Sequence, residues 1–130
     1  MGWIGVDFDG TLVTYGGWKG ANNIGNPIAP MVASVKYWLD QGQQVRIYTA
    51  RVWPLPGVKV GQGVNEVMPI EPLTSSRMEE IIESVGAIRQ FCLFNLGREL
   101  DITCVKDIYM KELWDDRCRQ VITNTGRVVQ

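Results

Sequence analysis

Trp3-Ile4-Gly5-Val6-Asp7-Phe8-Asp9-Gly10-Thr11 is the stretch on which the reading of this chain turns. An apolar run ends in two carboxylates one residue apart, and a glycine and a hydroxyl follow at once. Alternate side chains of an extended strand point the same way, so Asp7 and Asp9 start out on one side, and Gly10 permits the turn that stops the strand. Like charges this close repel, and a divalent cation or a proton kept on one of them is the simplest way to hold them together. A polar strand-end turn is the plainer account of Asp9-Gly10. The remaining chain separates the two.

Working outward, Leu12 to Asn26 carries Gly16, Gly17, Gly20 and Gly25 around Trp18, the composition of a mobile loop or small flap. From Pro27 a helix is expected: Ile28, Met31, Val32, Val35, Trp38 and Leu39 share one face, and Gly42 suits the C-terminal cap. Gln44 to Thr49 reads as a second strand and runs into Thr49-Ala50-Arg51. Trp53 to Pro72 holds Pro54, Pro56, Pro69 and Pro72 with three glycines, which excludes a helix. A short hairpin fits Val58-Lys59-Val60 and Val64 around Gly61-Gln62-Gly63. A loop this long suits a lid, a binding loop or a contact surface, a homodimer contact among them.

Thr74 to Ser76 can cap the next helix, and Ser76 with Glu79 has the capping-box spacing. Met78, Ile81, Ile82, Val85, Ile88 and Cys92 then form an apolar stripe that ends near Asn95-Leu96-Gly97. A third strand fits Asp101 to Val105, before Lys106-Asp107. Glu112 to Trp114 leads into Asp115-Asp116-Arg117, and Gln120 to Thr123 is one more β-like run. Strands alternating with helices give one α/β domain over residues 1–130 with a largely parallel sheet.

Composition narrows the chemistry. Thirteen Lys and Arg against fourteen Asp and Glu give a formal charge of -1, so no bulk basicity draws the chain to nucleic acid, although a local basic patch is compatible with that total. The chain has no histidine, which removes His-based triads and imidazole metal ligands. Cys92, Cys104 and Cys118 lack a Cys-x-x-Cys pair and read as reduced, mostly buried thiols. A basic leader followed by a long apolar stretch is missing, and no run reaches membrane-spanning length. The expectation is a cytoplasmic protein without a membrane partner.

Ligands of open parallel sheets bind beyond the carboxyl ends of the strands. Asp7/Asp9, Thr49, Lys106 and Asp115/Asp116 each follow an expected strand and are therefore expected around one crevice. Singly, Thr49 also suits a turn cap, Lys106 a solvated surface lysine and Asp115-Asp116-Arg117 a charged turn. Together, each at a strand end, they point to a site.

In this order Asp7-Phe8-Asp9-Gly10-Thr11, Ile47-Tyr48-Thr49, Lys106 and Asp115-Asp116 resemble the four signature motifs of the haloacid dehalogenase superfamily, mostly magnesium-dependent phosphatases. The resemblance covers nearly the whole chain. It is to the capless members, small bacterial and phage proteins in particular, and more distantly to the phosphatase half of polynucleotide kinase/phosphatase enzymes. It implies a Rossmann-like three-layer α/β sandwich with a mainly parallel central sheet and no large cap. It also implies a Mg²⁺-dependent phosphomonoesterase. Asp7 would be the nucleophile that becomes an aspartyl-phosphate, and Asp9 the acid that protonates the leaving oxygen and then activates water. Mg²⁺ would be held by the Asp7 side chain, the Asp9 carbonyl and Asp115, with Asp116 orienting a water. Thr49 would bind a phosphoryl oxygen, and Lys106 would neutralise it. The dehalogenases that name the superfamily typically lack the second motif-one aspartate, so Asp9 favours phosphoryl chemistry.

The substrate-side residues expected are Gly10, Thr11, Arg51, Trp18, Trp53 and Arg117. Trp18 and Trp53 either stack on a base of a nucleotide or nucleic-acid end or pack their loops. Arg51 and Arg117 either add positive field for a phosphate or pair with a neighbouring carboxylate. Two further classes fit parts of the pattern: a noncatalytic binding or scaffold domain of the same fold, and a phosphate-receiving signalling domain. The latter pairs its metal-binding acids after the first strand and accepts phosphate after the third, an order this chain does not follow.

Overall fold

Ile4, Val6, Val45, Ile47 and Ile102 are each no more than 4% exposed and line one face of a five-stranded sheet. The computed structural model describes residues 2–130. Five strands, β1 (Trp3–Asp7), β2 (Gln44–Tyr48), β3 (Gly57–Val58), β4 (Ile102–Thr103) and β5 (Met110–Trp114), stand in the order β3-β4-β2-β1-β5. All neighbours are parallel except β3 against β4. Register sets the faces: Ile4 lies opposite Val45 and Val6 opposite Ile47, and β1 is buried from Trp3 to Val6 whereas β2 alternates between buried and more open positions.

Two helices cross the sheet: α1 (Ala29–Asp40) joins β1 to β2, and α2 (Ser75–Leu96), which follows β3, completes the crossover from β2 to β4. Both crossovers step the same way across the sheet, and the right-handed preference then puts both helices on one face. Val35 and Leu39 of α1 and Ile81, Val85, Ile88 and Phe91 of α2 join the strand residues in one core. Phe8 meets Phe91 edge to face at 5.4 Å, and Trp38 packs against Trp114 at 5.1 Å. Helix α2 is capped by Thr74, the first of the expected candidates Thr74 to Ser76, whose hydroxyl accepts from the Arg77 N–H at 3.1 Å, while Ser76 lies inside the helix. Gly97, in the left-handed conformation at φ 80°, ends it.

Among the described residues no helix covers the opposite face of the sheet. Residues 104–109, which lead from β4 across to β5, are too few for a helical crossover, which takes a dozen or more residues. Asp107 accepts from Trp3 Nε1 at 2.8 Å and pairs with Arg46 at 3.4 Å, while the Arg46 guanidinium lies 4.5 Å from the Trp3 ring centre. A strap of loop thus replaces a layer, and the described residues build two layers where three were expected.

Residues 53–72 differ from expectation as well. Instead of a self-contained hairpin, Gly57–Val58 adds an antiparallel edge strand to β4, and Leu55, Val58 and Val64 enter the core. The β-like run from Gln120 stays outside the sheet. It forms a small exposed hairpin with a Val121–Val128 bridge, closed by Val129 N–H donating to the Gln120 carbonyl at 2.8 Å. The three thiols, expected to be mostly buried, are free: Cys92 is buried and its thiol is pushed up to about 12 by desolvation, Cys104 is half-buried and Cys118 is exposed. Among the described residues no helix is long and apolar enough to cross a membrane.

Candidate active site

The carboxyl ends of β1, β2 and β5 open into one crevice of 660 Å³, to which they bring Asp7, Thr49 and the pair Asp115/Asp116. One carboxylate oxygen from each of Asp7, Asp115 and Asp116 lies within 4.8 Å of the others. Parallel pairing of β5 with β1 makes this possible, because it aligns two chain segments more than a hundred residues apart. Thr11 links them: its hydroxyl lies 3.3 Å from Asp116 Oδ1 and 3.5 Å from Asp7 Oδ2, and accepts from the Asp116 N–H at 3.1 Å. Gly10, at φ 89°, clears the way, since a Cβ there would sit 2.5 Å from Asp116 Oδ2.

Burial, a hydrogen bond with Asp116 and the charges of Asp115, Asp116 and Asp9 push the Asp7 carboxyl up to about 7. Near neutrality Asp7 therefore holds a proton part of the time, and a cation at the trio could take that proton's place. The donors are hard oxygens, as Mg²⁺ or Ca²⁺ requires, so the residues fit such an ion. Exposed acidic groups also gather without one, and the cluster alone does not name the ion.

Asp9 turns out of this trio. Strand geometry ends at Asp7, and beyond it both Asp9 oxygens meet Arg51, Nε to Oδ2 at 2.7 Å and an Nη to Oδ1 at 3.0 Å. The same guanidinium donates to the carbonyls of Ala21 at 2.9 Å and Asn23 at 3.1 Å, and lies 4.8 Å from the Trp18 ring centre. The glycine-rich loop is consequently tied to the site through its backbone, where its composition alone suggested a free flap. Thr49 is 2% exposed, and its hydroxyl accepts from the Arg51 N–H at 3.1 Å, capping the short 3-10 turn Ala50–Val52 that aims Arg51 inward.

Of the other expected residues, Trp18 and Arg117 line the crevice. The Arg117 N–H donates to Asp115 Oδ1 at 2.8 Å, fixing the turn after β5. Lys106 and Trp53 do not line it. Thr103 donates to the Pro56 carbonyl at 2.7 Å and accepts from the Val105 N–H at 3.2 Å, so the chain bends away after only two strand residues and carries Lys106 onto the strap. Trp53 is 44% exposed and contributes its carbonyl, which accepts from Arg77 Nε at 2.8 Å.

Sequence reading missed Tyr15, Tyr48, Arg77 and Glu80, all of which line the crevice. Tyr48 was legible in principle, since it is the last residue of β2 and pairs with Asp7. Arg77 sits in the first turn of α2, where its guanidinium binds the Trp53, Ala50 and Arg51 carbonyls and lies 3.4 Å from Glu80. Nothing local marks that role. Comparison with family models, with curated proteins and with solved structures gives no match for this chain.

Proposed function

We propose that the chain is a Mg²⁺-dependent phosphomonoesterase of haloacid dehalogenase type, working through an aspartyl-phosphate on Asp7. The observation that carries this reading is the Asp7/Asp115/Asp116 trio at the strand ends, beside a buried Thr49 and three arginines around one crevice. Asp7, Asp115 and the Asp9 carbonyl would hold the cation, with Asp116 orienting its water, and the bound ion would offset phosphoryl charge.

In the first half-reaction an Asp7 oxygen attacks phosphorus as the ester P–O bond breaks, and the leaving oxygen takes a proton from Asp9. In the second, Asp9 takes a proton from water, whose oxygen attacks phosphorus while the bond to Asp7 breaks. Phosphate leaves, Asp7 is again a carboxylate and Asp9 again carries the proton with which the cycle began. Asp9 has to loosen one of its two Arg51 bonds to carry that proton. Thr49 holds a phosphoryl oxygen, and Arg117, which lines the crevice and makes no ion pair among the described residues, takes the charge-offsetting role expected of Lys106.

Phosphate release from an aryl phosphate, with and without Mg²⁺, on wild type and Asp7→Asn tests the reaction. The expected outcome is Mg²⁺-dependent turnover that the variant abolishes. A second reading, a noncatalytic cation-dependent binding domain, is favoured by the double grip of Arg51 on Asp9. Mg²⁺ binding without turnover on aryl phosphates and a nucleotide panel would select it. The proposal extends to a cytoplasmic setting and a homodimer contact through residues 53–72, where Met68 is 83% and Ile70 53% exposed; sedimentation reads the latter.

A further inference from the structure

Helix α2 buries one side in the core and leaves the other uncovered. Ile82, Glu83, Gly86, Gln90, Leu93 and Phe94 are all exposed, and their spacing of three and four residues puts them on one face. Phe94 is 91% exposed and Leu93 53%, so a whole phenyl ring stands in water at the end of this face. Beside it a groove of about 730 Å³ opens between α2 and the glycine-rich loop, walled by Ile24, Gly25 and Pro27 on one side and by Ala87, Gln90 and Phe91 on the other. Gly86 deepens the same face, since a Cβ built there would meet nothing within 4 Å.

One face thus carries a projection at Phe94 and a recess at Gly86 and Ala87, about 12 Å apart along the axis. A twofold contact uses such a patch against itself, because each copy offers its projection to the recess of the other. With two α2 helices antiparallel and crossing at Gln90, the partner's Phe94 comes opposite Gly86 and the groove, and the two Gln90 amides meet at the axis.

Charge selects the same arrangement. Glu79, Glu80 and Glu83 lie in the first half of α2, and Arg98 follows its C-terminal Gly97. Neither Glu83 nor Arg98 makes an ion pair among the described residues. The antiparallel register that seats Phe94 also sets Glu83 against the partner's Arg98, twice per dimer. A parallel pairing would set the acidic halves against each other.

We infer that the chain forms a twofold dimer through α2, with the helices antiparallel and Phe94 of each copy seated in the groove between α2 and the glycine-rich loop of the other. That loop is the one whose Ala21 and Asn23 carbonyls hold Arg51, so the contact bears on a segment tied to the candidate site. It is separate from residues 53–72 and independent of the reaction proposed above.

Sedimentation velocity of the full chain over a wide range of concentrations tests it. Wild type should pass from monomer to dimer as concentration rises. Phe94→Ser should weaken the dimer about thirtyfold or more, as loss of a central apolar anchor does. Glu83→Lys and Arg98→Glu should each weaken it about fivefold, and Glu83→Lys/Arg98→Glu should return it to within about twofold of wild type. These positions are exposed, so circular dichroism should be the same in every variant.

A chain that stays monomeric at every concentration overturns the inference. So does a dimer that Phe94→Ser leaves intact and Met68→Ser/Ile70→Ser disperses, which would place the contact at residues 53–72. Single charge reversals without effect, or a double reversal that fails to restore the dimer, overturn the antiparallel register and with it the seat of Phe94.

Discussion

Arg51 and Asp9, forty-two residues apart, are joined by two parallel hydrogen bonds of 2.7 and 3.0 Å, with the Arg51 side chain only 5% exposed. This fork fixes the first motif against the turn after β2 and, through the Ala21 and Asn23 carbonyls, holds the glycine-rich loop. Removing one partner of such a pair leaves a carboxylate and two carbonyls without donors. Arg51→Met is expected to cost about 3 kcal/mol, lowering Tm by about 10 °C in thermal melts followed by circular dichroism. Asp9→Asn keeps an acceptor for Arg51 and should fold, yet lose turnover. A Tm for Arg51→Met within a degree or two of wild type would show that the pair contributes little to the fold.

Asp7 makes the gathering of three carboxylates costly at neutral pH. Its carboxyl stands at about 7 in the folded chain against 3.8 ordinarily. Below the lower value both states carry the proton and the site costs nothing. As pH rises the unfolded chain ionises first, so the stability present in acid is lost progressively until pH passes about 7. Asp7 is half-buried, and solvent screening reduces the size of the effect. Without divalent ions, Asp7→Asn is therefore expected to melt above wild type at about pH 8, with little difference at about pH 4. Mg²⁺ should raise the wild-type Tm at the higher pH and the variant's much less. Equal melting of the two proteins across this range would argue against the crowding of charge at Asp7.

Gly10 serves the site through its lack of a side chain. Its φ is 89°, and a methyl group on its Cα would stand 2.5 Å from Asp116 Oδ2, which leaves no room for alanine. Gly10→Ala is expected to cost about 1–3 kcal/mol and to displace Asp116. Mg²⁺ affinity, read by calorimetry, should fall with it. Unchanged affinity would mean that Asp116 takes no part in cation binding.

Lys106 and Arg117 can be set side by side. Lys106 is exposed on the strap and outside the crevice lining, whereas Arg117 lines it. Lys106→Ala should leave aryl-phosphate kcat/KM within about twofold, and Arg117→Ala should lower it about a hundredfold, as loss of one charged contact to a transition state does. The reverse order would restore the role that the motif order implied for Lys106.

Much of this was written locally. The apolar run Trp3–Val6, the β-rich run from Gln44, the helical stripe from Met78 to Cys92 and the terminating Gly97 lie within single elements, where backbone geometry and burial are set by neighbours in sequence. The order of polar groups after strands was likewise enough to bring Asp7, Thr49, Asp115 and Asp116 to one crevice. The tertiary structure alone decided the rest. The number of layers depended on the step direction of two crossovers and on a six-residue connection too short for a helix. Asp9 went to Arg51, Arg77 to three distant carbonyls, and Lys106 away along a strap pinned by Trp3 and Arg46. Local patterns fix which way a backbone runs and which face it buries. The partner of a charged side chain is set by which distant segments the packed core brings within about 3 Å of it, and no local pattern carries that distance.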